Sequence, residues 1–349
     1  MLNERDGGYA SNGQDPASRT PMPADENVEL RALIGLLPAS LRSDHGERAL
    51  PQVAIVDTPS GRRLKVRAYP TESSAIRQEQ ILRRIGEKVG TPELLGRIDH
   101  YLVFDHLEVR EVSGDREPEF YDSIGRTLSD LASFRYPATE AEQLDSEVRV
   151  WLIDLRRARF VSAWGEETLW LEYQRLRPER PRICLGYWDA MPHNFGQVED
   201  KFVLLDEKHL QPSFEGVGLV KPSLILPPES FARILAGYRQ ASSSAFIDEH
   251  RRFLKLYYLL GALHYYLMRM ADGANRIPGN ARLRSYRWQA FRLSTPGLRP
   301  CFLESARFTL QFPLDSLRFM VLKLIHPLTW RKLLGLNSLE RFAWDESAS

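Results

Sequence analysis

Two aspartates and an asparagine lie close together in the stretch 184-CLGYWDAMPHNFGQVEDKFVLLDEKHL-210, and their spacing could do chemistry. Asn194 follows Asp189 by five positions, and the apolar run 202-FVLLD-206 delivers Asp206 at its end. Phosphoryl transfer from ATP asks for few protein parts: a cation on the phosphates, oxygen ligands for magnesium, and a carboxylate for the acceptor hydroxyl. From one loop, Asp189 can reach an acceptor while Asn194 turns back to a metal. Asp206 on the next strand would complete that metal site. Oxygen-only ligands suit magnesium, which is hard and keeps several waters. His193 stands beside Asn194, but no second His or Cys has metal-ligand spacing to it, so it is read as structural.

These residues need elements to hold them. Residues 197–201 read as the turn between two short strands. Upstream, 53-VAIVDTPSGRRLKVRAYP-70 reads as two strands around the turn Pro59-Ser60-Gly61. The second strand alternates Leu64, Val66 and Ala68 with Lys65, Arg67 and Tyr69, so one face is apolar and the other carries cations and a ring. Residues 72–89 have helical periodicity, with Ile76, Ile81, Leu82 and Ile85 on one side. A short buried strand follows at 101-YLVFDHL-107. The first third therefore reads as a small sheet with one helix. From residue 118 the chain reads as mainly helical, near 119–134, 140–164, 166–176, 228–239 and 247–270. Tyr257, Tyr258, Tyr265 and Tyr266 are expected to be core or groove wall.

With that order in view, the stretch around Asp189 resembles the catalytic loop of the aminoglycoside phosphotransferase and choline kinase family. That family has the protein-kinase-like fold, and its loop reads H-G-D-x-x-x-x-N before an apolar strand ending in Asp. The resemblance spans roughly residues 28–270. It implies an α+β, bilobal fold, with a small N-terminal sheet lobe carrying one helix and a larger, mainly helical C-terminal lobe. It implies ATP and magnesium as cofactors, Asp189 as the catalytic residue, and Asn194 and Asp206 as metal ligands. Lys65 or Arg67 would hold phosphates and pair with Glu79 on the helix. The segment with Asp105 and Leu107 would link the lobes and hold adenine through its backbone. Three departures stand out. Tyr187 occupies the place of the family's His, Ser43-Asp44-His45-Gly46 is a weak stand-in for a Gly-rich loop, and Glu207-Lys208-His209 crowd the metal strand.

Composition bounds the remaining choices. The chain has 349 residues, 43% hydrophobic and 27% charged, with a formal net charge of +1. A packed core is expected and global disorder is not. Two cysteines, Cys184 and Cys301, form no disulfide framework and suit a reducing compartment. The N-terminus lacks an apolar signal core, and no apolar run reaches spanning length, so a cytoplasmic protein is expected. The expected divisions are a tail over 1–27, an N-lobe over 28–107, a C-lobe over 108–280 and an extension over 281–349.

Residues 282–332 carry ten Lys and Arg against two acids. Within 315–336 an amphipathic pattern suggests peripheral contact with an anionic membrane at its inner face, against a competing reading as a helical cap on the C-lobe. Nucleic acid is not expected as a partner. The short segment after Asp206 lacks an A-P-E-like end, which favours a small molecule, sugar or lipid-linked glycan over a protein as acceptor. The alternative is a kinase-shaped binding or regulatory module without chemistry.

Overall fold

The computed structural model describes residues 52–271 apart from 110–116, 159, 200 and 242–244, together with positions 35, 37, 286, 289 and 290. The expected tail, the stand-in at Ser43–Gly46 and nearly all of the basic extension lie outside the described residues.

Strands β1 (Gln52–Asp57), β2 (Arg63–Ala68), β3 (Leu94–Ile98) and β4 (Tyr101–Asp105) form an antiparallel sheet in the order β1-β2-β4-β3. The β1–β2 turn closes on Gly61, whose φ of 81° lies in the left-handed region open to glycine. The alternation in β2 sorts its two faces. Leu64, Val66 and Ala68 join Val56, Ile98, Tyr101 and Val103 in a small core on one side of the sheet. Lys65, Arg67 and Tyr69 point the other way. Helix α1 (Glu72–Ile85) begins at Thr71, which exchanges capping hydrogen bonds with Ser74, and packs on β3 and β4. Strand β3, with its central Gly96, carries no strong strand pattern, and it fills the sheet edge that the sequence reading left empty.

The second lobe holds helices α2 (Glu117–Ala132), α3 (Glu140–Arg157), α4 (Ala163–Leu176), α5 (Val220–Ile225), α6 (Pro228–Ala241), α7 (Ala245–Glu249) and α8 (Arg251–Ala271). Two small antiparallel pairs are set among them. Strand β5 (Ile183–Tyr187) pairs with β8 (Leu210–Phe214), and β6 (Phe195–Val198) pairs with β7 (Lys201–Leu204). The expected five-residue turn is narrower, because Gln197, Val198 and Lys201 belong to the strands.

One large core runs through this lobe and reaches Tyr69, Leu102 and Phe104 of the first sheet. Helices α2 and α6 meet backbone to backbone. A Cβ on Gly125 would come within 2.0 Å of the Ile234 carbonyl oxygen, and one on Gly237 within 2.1 Å of the Asp122 carbonyl oxygen. Either side chain would force the helices apart. On α8, Tyr257 and Tyr258 are buried and Tyr265 and Tyr266 half-buried, in keeping with core and groove wall. Among the described residues no helix is long and apolar enough to cross a membrane.

Candidate active site

The loop between β5 and β6 builds the centre of the site. A single 3₁₀ turn over Pro192–Asn194 shapes it, and the proline presets its φ. The Asn194 side-chain amide donates to the Asp189 carbonyl oxygen at 2.8 Å, and the Leu205 N–H donates to the Asn194 carbonyl oxygen at 2.8 Å. These two bonds tie the loop to itself and to the end of β7, beside Asp206. His209 lies between the two aspartates, its Nε2 3.7 Å from Asp189 Oδ2 and 3.7 Å from Asp206 Oδ2.

The β2 cations enter from the first lobe. Lys65 Nζ donates to Glu207 Oε2 at 2.8 Å and to the Leu205 carbonyl oxygen at 2.7 Å. Arg67 bridges two acids, with one NH2 2.8 Å from Asp206 Oδ1 and Nε 2.9 Å from Glu207 Oε1. Lys208 Nζ stands 2.9 Å from Asp206 Oδ2. Glu207 is fully buried, and the Gln78 side chain on α1 donates to its carbonyl oxygen at 2.8 Å. Both candidate phosphate ligands, Lys65 and Arg67, reach the same acid.

The expected pair with Glu79 is not made. Glu79 accepts from Arg83, one helical turn on, at 2.9 Å and from Arg97 on β3 at 2.9 Å. The reason is the helix face. Gln78, one residue earlier, is the α1 side chain that reaches Glu207, while Glu79 faces Arg97 on β3. Glu207, not Glu79, is the acid that Lys65 and Arg67 pair with.

Lys221 is the residue that the sequence reading missed. It stands at the start of α5, 32 positions after Asp189, and its ammonium contacts Asp189 Oδ1 directly. No local pattern signals it, because β8 and the turn after it carry it back to the loop.

Charges in the site follow their neighbours. Burial works against the Asp189 carboxylate, yet Lys221, His209 and His193 together outweigh it and hold its pKa below the usual range. Burial also opposes the Asp206 carboxylate, but Arg67, Lys208 and His209 bring its pKa down to about 2. Burial pushes His209 down to about 4 despite both aspartates. Lys65 is lowered by burial, with Glu207 opposing. Both aspartates are thus anionic and His209 neutral at neutral pH.

Tyr187 sits where the resembled family has His. Its ring is fully buried, edge-on to Phe195 with centroids 5.7 Å apart and near His209 at 6.3 Å. It supports the loop by packing, and its hydroxyl has no hydrogen-bond partner among the described residues. Trp188 donates to Ser213 Oγ at 2.7 Å and stacks on Tyr258. Helix α8 comes close enough that a Cβ on Gly261 would meet the Trp188 ring at 2.5 Å.

At the lobe junction, the Asp105 N–H donates to the Glu93 carbonyl oxygen at 2.9 Å and the His106 N–H to the Arg63 carbonyl oxygen at 3.3 Å. Arg62 pairs with the Asp105 carboxylate at 3.1 Å. Leu107 follows, half-buried.

The donor set fits a hard divalent cation in part. Asn194 spends its amide N–H on Asp189, which leaves its side-chain oxygen as an acceptor, and Asp206 is ionised. Among the described residues no group of three or more His, Cys, Asp or Glu stands together as a metal cage. A metal here would take its remaining oxygens from water and phosphate, as magnesium does. It would also have to share Asp206 with Arg67 and Lys208.

No protein-family model and no curated protein matches this sequence. Solved structures do. The choline kinase LicA from Streptococcus pneumoniae is similar over 73% of this chain and 90% of its own, with a TM-score of 0.51 and 12% identity. An ethanolamine kinase from Plasmodium vivax is similar over 80% of this chain and 89% of its own, with a TM-score of 0.50 and 11% identity. A macrolide 2'-phosphotransferase from Brachybacterium faecium is similar over 78% of this chain and 99% of its own, with a TM-score of 0.45 and 15% identity. At such identities the likeness speaks for architecture. The chain has the α+β, bilobal, protein-kinase-like fold found in the choline and ethanolamine kinases.

Proposed function

We propose that this chain is a phosphotransferase that moves the γ-phosphoryl group of ATP to the hydroxyl of a small molecule or sugar. One observation carries the reading: Asp189, Asn194 and Asp206 converge at a lobe junction where two β2 cations also arrive. The two structural neighbours above, named as choline and ethanolamine kinases, agree with a small acceptor.

Each residue then has a task. Asp189 accepts a hydrogen bond from the acceptor hydroxyl and aims its oxygen at phosphorus. With a lowered pKa it is a weak base, which suits a loose transition state that needs little early deprotonation. Lys65 and Arg67 supply positive charge to the phosphates from positions set by Glu207. Asn194 and Asp206 would hold magnesium, which when bound neutralises charge building on the phosphate oxygens. With the Asp105 and His106 N–H groups already used, a purine held by backbone at the junction would turn to Leu107.

A specific observation favours a second reading, a kinase-shaped module without chemistry. Both aspartates already carry cations of the chain's own, from Lys221, Arg67 and Lys208. The experiment that separates the two is transfer from labelled ATP into an extract of cell metabolites, beside thermal stabilisation by ATP with magnesium. The phosphotransferase reading expects both signals. Asp189→Asn and Asp206→Asn should each lower transfer by about a hundredfold or more while the fold persists. Nucleotide binding should suffer more from the Asp206 change. Near wild-type transfer by both variants would sink the assignment.

A further inference from the structure

The charged cluster at this site holds one more cation than carboxylates. Four cations, Lys65, Arg67, Lys208 and Lys221, meet three carboxylates, Asp189, Asp206 and Glu207. Their pairing is uneven. Lys65 and Arg67, on the nucleotide side, share Glu207, and Arg67 also takes Asp206. Lys208 takes the other oxygen of Asp206. Lys221 faces Asp189, the residue that would meet the acceptor, with His209 Nε2 3.7 Å from the other oxygen.

Lys221 has room for another partner. An ammonium carries three donors. Among the described residues Asp189 is its one hydrogen-bond partner, and only 13% of the side chain is exposed. Water therefore has little access to the remaining donors. A cationic acceptor would have to approach this ammonium, which already shares Asp189. Nor does Trp188 offer a free ring to a cation. Trp188 stacks on Tyr258, with centroids 5.7 Å apart, and meets Tyr257 and Trp151 at steep angles, so its ring is engaged by neighbours.

We infer that the acceptor carries an anionic group, phosphate or carboxylate, close to the hydroxyl that receives the phosphoryl group, and that Lys221 holds it. This rests on the phosphotransferase reading and narrows its substrate class. Charge-assisted hydrogen bonds from a nearly dry ammonium would give the anion both affinity and a fixed distance from Asp189. The choice is opposite in sign to the acceptors for which the choline and ethanolamine kinases are named.

The test uses the full chain with its nucleotide side saturated by a non-hydrolysable ATP analogue and magnesium. Melting temperature is then followed against glycerol 3-phosphate, glycerate, glycerol and choline. Glycerol 3-phosphate or glycerate should stabilise the protein, and the stronger of the two names the anion. Glycerol and choline should not. Lys221→Gln should raise the half-saturating concentration of the effective anion by about tenfold or more. Lys221→Arg, which keeps the charge, should retain most of the binding and guards against a folding defect in the first variant. Stabilisation by choline, no stabilisation by either anion, or an anion response that survives Lys221→Gln would overturn the inference. Absence of any response to the nucleotide analogue with magnesium would instead remove the phosphotransferase reading, and this inference with it.

Discussion

Glu79 on α1 and Glu207 after β7 are both buried acids near the lobe junction, and each holds two cations. The cations differ. Arg83 and Arg97, the partners of Glu79, have side chains 44% and 24% exposed. Lys65 and Arg67, the partners of Glu207, are 13% and 5% exposed. The first group can return to water if its acid is lost, while the second cannot. The Glu79 pairs stay within one lobe and fasten a helix to an edge strand. The Glu207 pairs cross between lobes, because β2 belongs to the sheet and Glu207 to the loop after β7. A buried charge that crosses a junction fixes geometry more than it adds stability, since desolvation offsets much of the attraction. In this protein that geometry places two cations beside Asp206.

The contrast can be broken most directly at the two acids. Glu207→Ala leaves two nearly dry cations without their shared carboxylate, and should cost about 3–5 kcal/mol of stability. Glu79→Ala leaves cations that rehydrate, and should cost about 1 kcal/mol or less. Urea denaturation of the purified variants measures both. Equal losses, or a larger loss at Glu79, would mean that the junction cluster is not the tighter of the two. Transfer activity should fall with Glu207→Ala and survive Glu79→Ala.

A smaller effect sharpens the comparison within the Glu207 cluster. Arg67 spans Asp206 and Glu207 with separate nitrogens, whereas Lys65 has one ammonium on Glu207 and on a backbone carbonyl. A point charge cannot reproduce that span. Arg67→Lys should therefore destabilise measurably, by about 1–2 kcal/mol, and weaken nucleotide binding. Lys65→Arg should cost less stability, since its acid is still matched by Arg67. Thermal melts with and without ATP and magnesium read both quantities. If the two swaps were indistinguishable, Arg67 would not be bridging.

Much of this site could be read along the chain, and the limits were physical. The spacing from Asp189 to Asn194 and the apolar strand before Asp206 are local, and so is the alternation in β2 that puts Lys65 and Arg67 on one face. The partner of those cations was not local. Choosing Glu79 assumed that it faces β2, but on α1 it is Gln78 that faces the Glu207 cluster, and Glu79 turns to Arg97 on β3. Glu207 was visible only as crowding beside Asp206. Its role depends on complete burial, which sequence does not display. Lys221 comes back to Asp189 through β8, so its contact is a product of topology. Tyr187 stands in place of the family's His by packing, its hydroxyl without a hydrogen-bond partner among the described residues.

The smallest expected effect locates damage from the larger ones. Cys184 lies on β5, the strand that leads into Tyr187 and Asp189, and is fully buried. Burial, with Glu215 adding to it and Arg135 opposing, pushes its thiol up to about 12. The thiolate is the reactive form, so at pH 8 a native Cys184 should resist alkylation both by lack of access and by protonation. In denaturant it should label at the rate of an ordinary thiol. Peptide mass mapping separates it from Cys301. Applied to Glu207→Ala, the same labelling tells local opening from global unfolding. If the variant loosens only the junction between β2 and the loop after β7, Cys184 stays protected while the urea midpoint falls. Rapid labelling in native buffer would show that the cluster holds up the C-lobe core as well, and that the difference between Glu207 and Glu79 extends beyond the junction.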